Sequence, residues 1–176
     1  GSIPFEYRQR YPGLLILMSP DGRTCVVRPG DEGGGIWLWE VATLKPRLRL
    51  DVAGPHVVDR LEFSQDGRRI LSTDYKKQTG IVWDLAAAAG EQNAIAPDEK
   101  ELVSLWDDLR GDDAAKAYRA VWRLASHPKV TVPFLKTKSK DVPVVNDPVR
   151  LAARPFDPDL VLSRRFVETL EHCDSP

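Results

Sequence analysis

The chain has 176 residues, of which 42% are hydrophobic and 29% charged, and its formal net charge is −1. Length and composition bound it to one or two globular domains. A charge so near zero gives no general field for nucleic acid or an anionic membrane, and no apolar run approaches the ~18–20 residues that span a bilayer.

The start, Gly1-Ser2-Ile3-Pro4, shows no initiator Met, no basic start and no apolar stretch of a signal peptide. The expectation is a cytoplasmic segment, cut or processed from something longer. Ile3, Phe5 and Tyr7 alternate with Pro4, Glu6 and Arg8, which reads as an edge strand because Pro cannot donate to a ladder. Leu14-Leu15-Ile16-Leu17-Met18 is a continuous apolar run of strand length, as an inner strand packed on both faces requires. Ser19-Pro20-Asp21-Gly22-Arg23 is a turn. Residues 24–28 return, and Cys25 within them reads as a buried small hydrophobe. Gly33-Gly34-Gly35 closes a long turn before a third strand, Ile36-Trp37-Leu38-Trp39. Lys45-Pro46-Arg47-Leu48-Arg49-Leu50 alternates basic and apolar residues, the pattern of an exposed outer strand whose Arg and Pro guard an edge.

The grammar then starts again. Leu61 and Phe63 flank polar Glu62, and Gln65-Asp66-Gly67 reads as a two-residue hairpin turn in which Gly67 supplies the positive φ. Ile70-Leu71-Ser72 returns, Tyr75-Lys76-Lys77-Gln78 turns once more, and Ile81-Val82-Trp83-Asp84 is a β-branched and aromatic third strand. Ser19 and Ser64 stand 45 residues apart, Trp39 and Trp83 stand 44 apart, and Asp21-Gly22 answers Asp66-Gly67. A period of ~40–45 residues is that of a propeller blade.

With turn, alternation, terminal Trp and period in agreement, the first half of the chain resembles the WD-repeat β-propeller family. The resemblance assigns His56 to the Gly-His element that opens a repeat, Phe63 to the innermost strand, and Asp66 and Gly67 to its turn. It assigns Ser72, Trp83 and Asp84 to the later strands, and Asp21, Gly22 and Trp39 to the first repeat. It implies a buried His–Ser–Asp–Trp hydrogen-bond network. The family places the Asp six residues before the Trp. That position is Lys77 here and Gly33 in the first repeat, so the network expected is His56, Ser72 and Trp83 with no Asp in register.

From residue 98 the periodicity is helical. Asp98 and Glu101 form a capping box by residue type, and Leu102, Leu105, Trp106 and Leu109 follow at helical spacing up to a stop at Gly111. Asp112 or Asp113 caps a second helix with Ala114, Ala117, Tyr118, Val121, Trp122 and Leu124 or Ala125 inward. His127-Pro128 ends it. A short third helix starts at Val132-Pro133-Phe134-Leu135 and runs out in Lys136 to Lys140. These helices resemble the HEAT-like segment that follows the propeller in long WD-repeat proteins of planctomycete bacteria. Past residue 147 the likeness fades, and Arg154-Pro155-Phe156-Asp157-Pro158 reads as a helix break. The tail can form one amphipathic helix with Leu160, Phe166 or Val167, and Leu170 inward.

No catalytic constellation is coherent. His56 lies near Asp59 and Ser64, but no Gly-x-Ser-x-Gly elbow exists, and a structural hydrogen-bonding role is preferred. His127 sits where a cation suits a helix C-terminus, and His172 lies in the tail. Asp107-Asp108 and Asp112-Asp113 could ligate a hard cation, but a helix end and an N-cap account for them. Gly33-Gly34-Gly35 is followed by no Lys-Ser/Thr and is no phosphate loop. Lys129, Lys136, Lys138 and Lys140 read as a solvated helix end. Two cysteines, with no Cys-x-x-Cys, encode no cysteine zinc site.

The fold expected is α+β: two antiparallel four-stranded propeller-type blades, an incomplete propeller, then a small all-α segment. The boundaries are 1–87 for the blades, 88–97 for a linker, 98–140 for the helices and 141–176 for an irregular or helical tail. Propellers close with ~4–8 blades, so two should leave an apolar flank, formed on one side by the strand at residues 14–18. The function expected is a non-enzymatic protein-interaction or scaffolding module from a larger WD-repeat protein. Its partners would be other proteins and the remaining blades, with no cofactor, nucleic acid or membrane. The alternative is an accessory segment of a multidomain kinase or hydrolase.

Overall fold

The computed structural model describes residues 14–29, 35–52, 57–91, 95–143 and 157–174. The expected edge strand at 3–10, the long Gly-rich turn, and His56 lie outside the described residues. The strands are β1 (Leu15–Met18), β2 (Thr24–Arg28), β3 (Ile36–Glu40), β4 (Lys45–Leu50), β5 (Arg60–Phe63), β6 (Arg69–Asp74) and β7 (Thr79–Asp84). The helices are α1 (Leu85–Ala88), α2 (Glu99–Arg110), α3 (Ala114–Ala125), α4 (Pro128–Lys138) and α5 (Pro158–Asp174), with a short 3₁₀ turn at Ser139–Asp141. They fall into two compact units. Apart from residues 42–45, everything up to Ala88 forms the first, and residues from Ala89 onward belong to the second.

The first unit holds two antiparallel sheets, ordered β1-β2-β3-β4 and β5-β6-β7. The first has the four strands expected. Among the described residues the second has three, because the chain leaves β7 into α1 rather than a further strand. Asp84 Oδ1 accepts from Ala87 N at 3.0 Å, and the alanines that follow favour a helix.

The same turn builds both hairpins. Ser19 Oγ donates to Asp21 Oδ1 and accepts from Thr24 N, Arg23 N donates to Asp21 Oδ1, and Gly22 N donates to Ser19 O. In the second sheet Ser64, Asp66, Gly67, Arg68 and Arg69 repeat these bonds atom for atom. Gly22 and Gly67 sit at φ +71° and +68°, where a Cβ is disfavoured. The loop is longer than the two-residue hairpin expected. The ladder closes at Ser64 and Arg69, with Ser64 N donating to Arg69 O at 3.0 Å.

Register fixes the faces. Pairing of Leu17 with Val26, Val26 with Leu38 and Thr24 with Glu40 puts these residues on one buried face of the first sheet. Ile16, Met18, Cys25, Val27, Trp37 and Trp39 share the other. In the second sheet Leu61, Phe63, Ile70, Ser72, Ile81 and Trp83 share a face, with Ile70 and Ser72 both 0% exposed. β1 and β5 lie against each other.

The second unit is a helical core. Leu102, Trp106 and Leu109 of α2 pack with Ala120, Val121 and Leu124 of α3, Leu135 of α4 and Leu162 of α5. Trp106 meets Phe166 edge-on at 6.2 Å, and Tyr118 meets Trp122 at 5.9 Å. Four expectations need correcting. Asp98 accepts from Glu101 N at 2.7 Å, but the Glu101 carboxylate is taken by Arg123 rather than returning to the cap. Gly111 ends α2 in an extended conformation, φ −70°, instead of the left-handed one, and its carbonyl accepts from Arg165. The third helix begins at Pro128, whose missing N–H and fixed φ suit a first helical position, with Pro133 inside it. The break at Asp157-Pro158 is a helix start: Asp157 Oδ1 accepts from Asp159 N at 3.0 Å, and α5 then buries Leu160, with Phe166 and Leu170 inward and Val167 exposed.

Candidate interaction surfaces

The interior of the second sheet carries a polar network. Trp83 Nε1 donates to the buried Ser72 hydroxyl at 3.0 Å. Asp74 is 1% exposed at the end of β6, where one oxygen accepts from Lys77 N and the other from Val57 N, both at 3.0 Å. Six residues before Trp83 stands Lys77, so no Asp occupies the expected position. The turn aspartate is Asp74, three residues before Lys77 and two after Ser72, a spacing that puts it on the same strand face. It receives two backbone N–H groups from the segments that flank its strand.

The first sheet buries the opposite face in repeat terms, and that face is built differently. Glu40, 2% exposed, receives Arg47 Nη2 at 2.9 Å, and Arg47 Nη1 donates to Thr24 Oγ1 at 2.9 Å. Arg47 was expected on an exposed outer strand, and it is 4% exposed. Its guanidinium turns inward because Glu40 and Thr24 face each other across β2 and β3 and need a donor. Among the described residues Trp39 makes no hydrogen bond of this kind on its face. It pairs in register with Cys25 and tilts against Trp37 at 6.4 Å.

That face of the first sheet is apolar and open. Ile16 is 47% exposed and Met18 46%, and Cys25, Val27, Trp37 and Trp39 are only half-buried. Arg49 lies over the Trp37 ring at 5.2 Å, at one edge. Every residue type on this face suits contact with another apolar surface, and none supplies acid, base or nucleophile chemistry beyond Cys25. Burial raises the Cys25 thiol pKa, which works against a reactive thiolate.

Three aspartates elsewhere hold turns and a helix cap. Burial pushes the Asp21 carboxyl up, but the Ser19 hydroxyl, Arg23 N–H and neighbouring arginines together hold it below its ordinary value. The Ser64 hydroxyl and Arg68 N–H do the same for Asp66. Asp113 is the N-cap of α3, held low by the Lys116 and Ala115 N–H groups. Among the described residues no three His, Cys, Asp or Glu side chains gather in a way that could hold a metal. Among them, too, no helix is long and apolar enough to cross a membrane.

Arg123 was not singled out in the sequence, where it looks like one more helix-surface cation. It is 8% exposed. It grips Glu101 at 2.7 and 3.2 Å, Glu91 at 3.4 Å and the Ile95 carbonyl at 2.8 Å. Its Nη1 also lies 2.9 Å from His127 Nε2. A guanidinium has no acceptor, so in this contact the ring nitrogen is the accepting partner. The Glu101 hydrogen bond leads the causes that raise the Arg123 pKa and keep it charged. Arg165 is equally hidden, 1% exposed, and donates to the Leu109 and Gly111 carbonyls at 2.8 and 2.7 Å at the end of α2.

No family model matches the chain, and no solved structure does. Among curated proteins it is similar to eukaryotic translation initiation factor 3 subunit I of Neurospora crassa, 26% identical over 150 residues. The match covers 83% of this chain and 42% of that protein, so the chain spans less than half the length of its relative.

Proposed function

We propose that the chain is a pair of WD-repeat-type blades with a helical extension, and that it serves as a non-enzymatic protein-interaction module within a larger WD-repeat protein. The open apolar face of the first sheet carries this reading. The repeat makes Ile16, Met18, Cys25, Val27, Trp37 and Trp39 the equivalents of Leu61, Phe63, Ile70, Ser72, Ile81 and Trp83. In the second sheet those positions are largely covered, and in the first they are not. A face built for cover and left open is a docking face for another sheet.

The structural blade residues of this reading are Phe63, Asp66, Gly67, Ser72, Trp83 and Asp84, with Asp21, Gly22 and Trp39 in the first repeat and His56 at the opening of the second. Asp74 joins them as the turn aspartate. Similarity to a subunit of an initiation factor supports a role as one component among several. The helical unit extends the reading to a HEAT-like segment of the kind that follows the propeller in long bacterial WD-repeat proteins, and a cytoplasmic place fits such a protein. The expected test result is specific. A photo-crosslinking residue at Met18, introduced in the full-length protein, should yield peptides joined to strand residues of another sheet. Recovery of uncrosslinked chain alone, with Met18 still solvent-accessible, would remove the reading.

A further inference from the structure

We propose that a cleft in the helical unit binds an acidic peptide segment of a partner protein. The cleft has a volume of about 430 Å³. That lies within the ~300–1,000 Å³ of ordinary binding sites. Its floor is Leu105 and Ala120, and α3 supplies one wall with Lys116, Arg119 and Arg123. These three recur at helical spacing and so share a face. Arg123 is already neutralised by Glu101 and Glu91. Lys116 and Arg119 are exposed, and among the described residues neither makes an ion pair. Asp113, the N-cap of the same helix, interacts electrostatically with both, and both remain exposed.

Two unpaired cations beside an apolar floor recognise carboxylates that alternate with apolar side chains. Asp108 and Glu91 also line the cleft. Glu91 is engaged by Arg123, so Asp108 is the carboxylate that an acidic peptide must space its own charges around, which the unbroken charge of a nucleic-acid backbone does less readily. The site lies wholly in the helical unit and stands whether or not the sheets are blades.

The test uses the whole chain and three labelled probes, read by fluorescence anisotropy. One is a peptide of repeating Asp-Glu-Leu, the second replaces Asp and Glu by Asn and Gln, and the third is polyuridine RNA. The acidic peptide should bind, more weakly as salt rises, and the amide peptide should not. Affinity should fall by about tenfold or more in the double variant Lys116→Glu/Arg119→Glu. It should hold in Lys136→Glu/Lys138→Glu, which removes the same charge elsewhere. Lys116→Gln/Arg119→Gln should give an intermediate loss, with circular dichroism unchanged in all three. Equal binding of the two peptides, equal loss in both charge-reversed variants, or tighter binding of RNA through Lys116 and Arg119 would overturn the proposal.

Discussion

The two sheets share a turn and differ inside. Their first hairpins share one set of turn hydrogen bonds, yet Glu40 and its equivalent Asp84 have opposite fates. Glu40 is buried and held by Arg47. Asp84 is exposed and caps α1. The fourth strand makes the difference: β4 brings a guanidinium inward to the end of β3, and no described strand does so beside β7. In the second sheet the buried side chains of Ser72 and Asp74 are met by an indole N–H and by backbone N–H groups. A repeat can therefore keep its turn chemistry while changing the way its interior is satisfied.

The largest effect should come from Arg47→Ala. It leaves the Glu40 carboxylate buried without its counter-charge, which typically costs ~3–5 kcal/mol. Urea unfolding should show that loss, and the double variant Arg47→Met/Glu40→Leu should recover most of it. A loss under ~1 kcal/mol would mean that the ion pair does not organise the first sheet. Next come the tryptophans. Trp83→Ala should cost ~2–3 kcal/mol, below the range for a fully buried indole because Trp83 is half-buried. Trp39→Ala should cost less, since its face is open. Thermal melts of the two variants make the comparison.

Ser72→Ala should cost ~1 kcal/mol by removing the indole's acceptor. The smallest effects test the shared turn. Asp21→Asn and Asp66→Asn should each cost ~0.5–1 kcal/mol, equal within error if the two turns are energetically as alike as they are geometrically. Both carboxyls are held below their ordinary value in the fold. Their contribution is thus complete above the unfolded-state pKa and is lost as pH falls through the lower folded one, below about pH 4. The melting temperature of either variant should fall less steeply with acid than that of the wild type.

What the sequence disclosed depended on how local its signals are. Ser-x-Asp-Gly-Arg is a self-contained hydrogen-bonding unit, so both turns could be read from it. The apolar stripe of α3 from Ala114 to Ala125 was legible because one face of one helix carries it. Asp74 was missed by counting a fixed offset back from Trp83, when the signal was its parity with Ser72 on one strand. Arg47 was misread because a basic–apolar alternation looks the same whether its cations meet water or a buried carboxylate on another strand. Arg123 and Arg165 were invisible for a related reason. Their acceptors are carboxylates and carbonyls 22 to 56 residues away in sequence.

The Arg165 contacts also bear on the order of events during synthesis. The carbonyls of Leu109 and Gly111 wait for a donor that is made 54 to 56 residues later. Leu162 and Phe166 arrive equally late to the core around Trp106. The pair α2–α3 therefore emerges with an apolar groove and bare carbonyls, and closing the loop to α5 is its slowest contact in topological terms. Until α5 docks, the nascent helical unit offers the sort of surface that chaperones hold, and a premature stop before Pro158 would leave it in that state for good.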